Sequence, residues 1–178
     1  MKNFRFPTLN KELIELKKLL LILAAILILP IQICSAESVQ VSDSKVWDFI
    51  DHCNRLLYKS YMNYRIEIVD TSPVQIGENF YIAYKGRPID SVGVVFLTNR
   101  DGAISKILII SGESDAKIVG FLLNTLVTSI GLSSDEQNIL YSSKSHSVWC
   151  LQSQRQIVVD MKNLSQSGFY SVEISAYK

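Results

Sequence analysis

Four strand-like segments follow one another between residues 64 and 110, and no helical pattern interrupts them. They are the alternating segment 64–69, the short aromatic segment 80–84 and the β-branched segments 92–97 and 104–110. Strands that follow each other directly pair most readily as antiparallel neighbours, because a parallel pairing needs a crossover of about a dozen residues or more. The order of these segments therefore predicts a mainly antiparallel sheet.

Turn signals and apolar runs divide this part of the chain further. Asn99-Arg100-Asp101-Gly102 separates the last two segments, and its glycine supplies the positive φ that a tight hairpin requires. Lys85-Gly86-Arg87-Pro88 is predicted to be another turn. Ile107–Ile110 is apolar without alternation, so we expect this strand to be covered on both faces.

A helix is predicted directly before these strands. Asp43 or Ser44 would cap its first turn, because a side-chain oxygen there accepts hydrogen bonds from the free N–H groups, and the pattern continues to about Tyr61. Apolar residues recur along one side of it at helical spacing. They are Val46, Ile50, Cys53 and Leu57. This stripe is expected to pack against the core.

Two more helices are predicted after the strands. The second helix begins near the acidic residues of 113–115, whose charges favour a helix N-terminus, and it ends at Gly131. Ser133 and Glu136 have the spacing of a capping box, in which each residue bonds the backbone N–H of the other. This spacing predicts a third, short helix that continues to about Ser142.

The last part of the chain is strand-like again, with predicted strands at 148–151, 156–161 and 169–177. Because strands follow strands rather than alternate with helices, the whole pattern predicts an α+β fold. The expected architecture is an N-terminal helix and a mainly antiparallel sheet of about five to seven strands, with the helices packed on one face. Residues 37–178 are enough for a single domain with a substantial core.

The first 36 residues are typical of an export signal rather than of a folded element. Two lysines precede the uninterrupted apolar run Leu19–Leu29, and small residues follow, which predicts a signal peptide cleaved between Ala36 and Glu37. The alternative is an uncleaved membrane anchor over residues 19–33, whose 15 residues span about 22 Å as a helix. In both interpretations the lysines stay inside, so residues 37–178 are expected outside the cytoplasm.

Charge is unevenly distributed along the chain. The first 36 residues carry five basic and two acidic residues, whereas residues 37–178 carry 13 basic and 15 acidic residues. A protein that binds a nucleic-acid backbone needs a clustered positive surface, and no basic run occurs after residue 36. We therefore expect no nucleic-acid partner, and membrane contact only through residues 19–33 if they are retained.

Two cysteines belong to the predicted domain. Cys53 lies on the core stripe of the first helix and Cys150 on a predicted strand, so both are expected to point into one core. Outside the cytoplasm they are the candidate disulfide, and two buried free thiols are the alternative. His52 and His146 stand near them, but adjacent helical residues point about 100° apart, so His52 and Cys53 are poorly placed to share a metal. No metal and no cofactor are predicted.

The sequence contains no pattern that assigns a catalytic residue. The chain has no Gly-x-Ser-x-Gly elbow and no glycine-rich phosphate loop, and a serine–histidine–aspartate arrangement could use only His52 or His146. An aromatic-rich stretch is a candidate contact patch, because tyrosine is frequent at interfaces. It comprises Tyr58, Tyr61, Tyr64, Tyr81 and Tyr84.

Together these features predict an exported, non-enzymatic binding domain of the cell envelope or the extracellular space. Its partner would be another envelope or extracellular protein, or a small ligand. Two alternatives stay open: a small secreted hydrolase that uses His146 or His52, and a membrane-anchored structural protein of the envelope. An exposed apolar patch would favour the binding domain, whereas a histidine bonded to a nucleophile and a carboxylate would favour the hydrolase.

Overall fold

The computed structural model describes residues 38–60, 64–77, 79–89, 91–112, 116–164 and 169–178. The predicted signal or anchor segment, with the cleavage candidates Ala36 and Glu37, lies outside the described residues. All described residues belong to one compact unit.

The strands of the described residues form one antiparallel sheet. In chain order they are β1 (Ser38–Val39), β2 (Ser42–Lys45), β3 (Glu67–Ile76), β4 (Asn79–Ile89), β5 (Val92–Thr98), β6 (Ala103–Gly112), β7 (Ser147–Cys150), β8 (Arg155–Leu164) and β9 (Phe169–Tyr177). Their lateral order is β3-β4-β5-β6-β9-β8-β7, while the short β1 pairs with β9 and the short β2 pairs with β6. The predicted α+β class and antiparallel sheet are confirmed.

Helices cover one face of this sheet. They are α1 (Val46–Lys59), α2 (Ala116–Ile130) and α3 (Ser134–Ser142). Their apolar residues share one buried cluster with alternating residues of the central strands. Phe49 of α1, for example, meets Phe96 of β5 edge to face, with ring centroids 6.0 Å apart. None of the helices in the described residues is long and apolar enough to cross a bilayer.

Residues of the two central strands alternate between the two faces of the sheet. Phe96 and Ile107 are cross-strand partners in the helix-covered cluster, whereas their neighbours Val95 and Leu108 are partners on the opposite face. All four are buried, and so is the whole run Ile107–Ile110. The prediction that this run is covered on both faces is confirmed.

Ion pairs lie beside the apolar residues of that opposite face. Lys85 of β4 contacts Asp70 of β3 at 2.6 Å, and Lys106 of β6 contacts Glu173 of β9 at 2.6 Å. The Lys85 side chain is buried, and its ammonium group therefore requires this counter-charge. The hydrogen bond from Lys85 lowers the pKa of Asp70 below its ordinary value.

Several sequence signals lie where they were expected. The β5–β6 hairpin turns at Asn99–Gly102, where the glycine has a φ of 79°. Gly131 follows α2 with a φ of 104°, a conformation that side chains with a Cβ disfavour. Ser133 and Glu136 form both hydrogen bonds of the capping box at the start of α3.

The predicted cap of the first helix is wrong. Asp43 and Ser44 belong to β2, and α1 begins after Lys45 without a side-chain cap. β2 pairs with β6 through Ser42 and Lys45, and Asp43 and Ser44 lie in the register shift between these two pairs. The Asp43 carboxylate forms an ion pair with Arg155 of β8 at 2.6 Å instead.

The predicted turn at residues 85–88 is also wrong, because these residues continue β4. The pairing with β5 shifts register between Gly86 and Ile89. Pro88 lies within this irregularity, where its missing N–H costs no regular ladder bond. Glycine and proline here mark a bulged strand rather than a reversal of the chain.

Candidate binding surfaces

The terminal hairpin of the sheet, β3 and β4, carries a row of exposed apolar side chains. Phe80, Ile82 and Tyr84 alternate along β4, so they share one face of the strand. Phe80 is 57% exposed and Ile82 is 38% exposed, although both are large and apolar. Tyr84 pairs across the strands with the buried Phe96, so the row begins at the rim of the helix-covered core.

Trp47 extends this row from β4 onto α1. Its ring packs edge-on against the ring of Tyr84, with centroids 5.8 Å apart and an interplanar angle of 83°. Trp47 is itself 55% exposed. We call Trp47, Phe80, Ile82 and Tyr84 the hairpin surface.

A second candidate is an open cleft of about 580 Å³ beside the second half of α1. It is lined by Asp51, Asn54, Arg55, Tyr58, Lys59, Tyr64 and Arg65. The members from α1 recur at intervals of three and four residues, so they share one side of the helix. Tyr64 and Arg65 line it from the segment that leads into β3. We call this site the α1 cleft.

Asn54 fixes the two sides of the α1 cleft relative to each other. Its Oδ1 accepts a hydrogen bond from the backbone N–H of Ile66 at 2.8 Å, and its Nδ2 donates to the Ile66 carbonyl at 3.1 Å. The carboxamide thus satisfies both backbone groups of Ile66, whose side chain is buried in the core. The sides of the cleft are therefore held together without a ligand.

Cations predominate in the α1 cleft. The cleft has a formal charge of +2, because it is lined by three cations and one carboxylate. The cations are Arg55, Lys59 and Arg65, and the carboxylate is that of Asp51. The ion pairs of the described residues involve other side chains, and none of them reaches these three cations. Their charges are therefore available to a ligand.

The predicted tyrosine patch is divided among several places. Tyr58 and Tyr64 line the α1 cleft, whereas Tyr84 belongs to the hairpin surface. Tyr81 stands three residues before Tyr84 on the same strand, so it lies on the other face of β4. Tyr61 lies outside the described residues.

The predicted disulfide is not formed, because Cys53 and Cys150 are both free and buried. The Cys53 thiol donates to Oγ of Ser129 at 3.1 Å, and Sγ of Cys150 lies 3.9 Å from the carbonyl oxygen of Gly131. The stripe pattern places both thiols in the core, but periodicity does not fix the distance or direction that an S–S bond requires. Burial raises the pKa of Cys53 to about 12, so this thiol stays protonated and unreactive.

The surroundings of the two histidines are those of ordinary helix and turn residues. His52 is exposed on α1, and His146 lies in the turn between α3 and β7 with a φ of 45°. No hydrogen bond or ion pair within the described residues reaches either imidazole, although the backbone of His146 bonds Ser143 and Val159. The same part of the chain contains no group of three side chains that could hold a metal. The hydrolase alternative gains no support from this geometry.

Sequence reasoning missed several members of both surfaces. The alternation of Phe80, Ile82 and Tyr84 is a signal for a shared strand face that the sequence does contain. Trp47 has no such local signal, because its contact with Tyr84 depends on how α1 lies across the sheet. The cleft cations have no local signal either, because basic residues on the wet side of a helix are common.

No protein-family model, no curated protein and no solved structure matches this chain. The hairpin surface and the α1 cleft therefore provide the grounds for a functional proposal.

Proposed function

We propose that residues 37–178 form an exported, non-enzymatic binding domain whose hairpin surface contacts another protein of the cell envelope or extracellular space. The observation that carries this proposal is the exposed apolar row on the terminal hairpin. Trp47, Phe80 and Ile82 each leave more than a third of their surface exposed, next to Tyr84. A contiguous group of large apolar side chains is a typical mark of an interaction site, whereas single exposed ones are ordinary.

The residue types of the hairpin surface suit a protein interface. Tryptophan, tyrosine and phenylalanine are enriched at the buried centres of interfaces, because they remove a large apolar area from water. The edge-to-face contact of Trp47 with Tyr84 orients both rings before a partner arrives. Binding then costs less side-chain entropy than it would with freely rotating rings.

The edge of the hairpin favours one mode of contact over another. β3 is a terminal strand of the described sheet, and a strand with free backbone groups at an edge can recruit another strand. Pro73 in the middle of β3 has no N–H, which disfavours such pairing. We therefore expect the partner to pack on the side chains of the hairpin surface rather than to extend the sheet.

Export is supported by the sequence of the first 36 residues. Two lysines, an apolar run at Leu19–Leu29 and small residues ending at Ala36 have the order of a secretory signal. Both the cleaved and the anchored form would leave the hairpin surface outside the cytoplasm, where the partner is expected.

Site-specific photo-crosslinking in the native host tests the contact. A photoreactive phenylalanine analogue would replace Phe80 in the full chain, or Asn138 on the exposed side of α3 as the control position. We expect a discrete adduct with an envelope or extracellular protein at position 80 and none at position 138. Trp47→Ala should weaken the position-80 adduct at least fivefold, because losing an aromatic anchor costs about 1 kcal/mol or more.

A matched substitution keeps this result specific. Tyr141 is also an exposed aromatic residue, but it belongs to α3, so Tyr141→Ala should leave the adduct unchanged. Equal adducts at positions 80 and 138, or an adduct insensitive to Trp47→Ala, would contradict the proposed interface. So would the absence of an adduct at position 80 in folded, exported protein.

Intact mass of the protein from its native host tests export and processing. A mass that begins at Glu37 would show cleavage and release, and a mass that retains residues 1–36 in a membrane fraction would show anchoring. A protease added after any outer membrane has been permeabilised should reach the domain in both cases. Full-length protein that only becomes accessible after the cytoplasmic membrane is opened would refute export.

A further inference from the structure

The α1 cleft offers a chemistry that the hairpin surface lacks. We propose that it binds the phosphate group of an anionic ligand whose apolar or aromatic body lies against Tyr58 and Tyr64. This site is separate from the proposed protein interface, and neither proposal depends on the other.

The charge of the cleft matches that of a phosphate ester. Its three cations and one carboxylate give +2, and a phosphate monoester carries roughly −1.5 to −2 at neutral pH. Arg55 and Arg65 suit such a group because the planar guanidinium donates two parallel hydrogen bonds to its oxygens. Lys59 adds a point charge beside them.

Helix stabilisation explains only part of this cluster. Lys59 stands in the last turn of α1, where a cation is favoured by the negative end of the helix dipole. Arg65 lies beyond the helix, on the far side of the Asn54–Ile66 hydrogen bonds. The helix dipole therefore does not explain why Arg65 also lines the cleft. An anion bound between α1 and the segment of Arg65 would explain it.

The remaining lining residues fit the rest of the ligand. The Tyr58 ring is exposed and the Tyr64 side chain is half-buried, so both present apolar area at the cleft. Aromatic rings stack on flat apolar groups with a gain beyond that of the area they bury. The volume of about 580 Å³ lies within the range of small-ligand sites, roughly 300–1,000 Å³.

Calorimetric titration of the full chain with phenyl phosphate at low ionic strength tests the site. We expect saturable binding that Arg55→Gln/Arg65→Gln weakens at least about tenfold, because two charge-assisted contacts are lost. The matched control is Arg100→Gln/Lys144→Gln, which removes two exposed cations elsewhere and should change the affinity less than about twofold, since screening limits distant surface charges. Inorganic phosphate should bind more weakly than phenyl phosphate, because it lacks the ring.

Vesicles distinguish a free phosphate ester from a lipid headgroup. Vesicles that contain phosphatidylglycerol would be compared with pure phosphatidylcholine vesicles in a flotation assay, using the same two double variants. A free ester is supported if the Arg55→Gln/Arg65→Gln variant loses phenyl phosphate binding while the control variant keeps it. A lipid headgroup is supported if the Arg55→Gln/Arg65→Gln variant, but not the control variant, loses binding to the anionic vesicles and phenyl phosphate does not bind. Binding of neither probe, or equal loss in both double variants, would overturn the proposal.

Discussion

At the scale of single residues, Glu136 connects two elements through one carboxylate. Its Oε2 accepts from the backbone N–H of Ser133 at 2.6 Å, which closes the capping box, and its Oε1 accepts from the N–H of Leu151 at 2.7 Å. The side chain is buried, so both bonds are shielded from water. The start of α3 is thereby fastened to the residue that follows β7.

Glu136→Gln should destabilise the protein by about 1–2 kcal/mol at pH 7, because a neutral amide replaces a charged acceptor of two N–H groups. The hydrogen bonds from Leu151 and Ser133 lower the pKa of Glu136 below its ordinary value of 4.5. The charged form therefore stabilises the fold above about pH 4.5, and this contribution is lost as the pH falls through the lowered pKa. Urea unfolding at pH 7 and pH 3 should show a gap between wild type and variant that shrinks in acid.

The matched variant is Glu67→Gln, which makes the same chemical change at an exposed residue of β3. Its free energy of unfolding should stay within about 0.5 kcal/mol of wild type at both pH values. A pH-independent gap for Glu136→Gln, or an equal effect of Glu67→Gln, would contradict the role of the carboxylate.

The sequence predicted half of this arrangement. The spacing of Ser133 and Glu136 predicts the capping box, because that motif is local and spans a single helical turn. The bond to Leu151 has no local signal, because it needs β7 to pair with β8 and bring that backbone N–H to α3.

At the scale of elements, the packing of the β3–β4 hairpin depends on Gly86 of β4, which lies directly against core side chains. A Cβ on Gly86 would lie 2.9 Å from Cγ2 of Ile66 and 3.3 Å from Cδ1 of Ile68. Ile66 is buried and cannot easily move aside. Gly86 therefore lets β4 approach the segment that Asn54 holds at the start of β3.

Gly86→Ala should lower the melting temperature, because overpacking of a filled core costs roughly 1–3 kcal/mol. Gly120→Ala in α2 is the matched change, since a Cβ there meets nothing within 4 Å. It should raise the melting temperature, because alanine is favoured over glycine in a helix by about 0.5–1 kcal/mol. Thermal unfolding of both variants should give shifts of opposite sign, and two shifts of the same sign would contradict this packing argument.

The order of the helices and strands could be predicted from the sequence, whereas the residues at which they begin and end were harder to predict. The consecutive strand patterns and the unbroken run Ile107–Ile110 reflect local periodicity and burial, so they predict the antiparallel sheet correctly. Residues 85–88 were misread because glycine and proline are compatible with both a turn and a bulged strand. Only pairing with two neighbouring strands decides between them, and that pairing is not local.

At the scale of the whole molecule, the sheet and its helices together enclose the two buried thiols. Cys53 on α1 bonds Ser129 near the end of α2, and Cys150 on β7 lies beside Gly131 just after it. The sequence places each thiol on a core-facing position, but the relative placement of α1, α2 and β7 sets their separation. The hairpin surface and the α1 cleft also depend on the tertiary fold. Trp47 contacts Tyr84, and Arg65 lines the same cleft as Arg55, only when α1 is packed on the sheet.

Cys53 and Cys150 should resist alkylation until the molecule unfolds, because both thiols are buried within its core. In a Cys34→Ser background at pH 8, iodoacetamide should label them at least about a hundredfold more slowly in buffer than in urea, as expected for groups exposed by global opening. Ser142→Cys, at an exposed position of α3, should react rapidly in both conditions and reports on the reagent. Burial raises the pKa of Cys53 from 9.0 to about 12. The protonated Cys53 thiol therefore contributes fully to the free energy of unfolding below pH 9, and this contribution declines as the pH rises above 9. Fast labelling of the folded protein would contradict the buried thiols, and failure to label in urea without a reductant would reveal a disulfide instead.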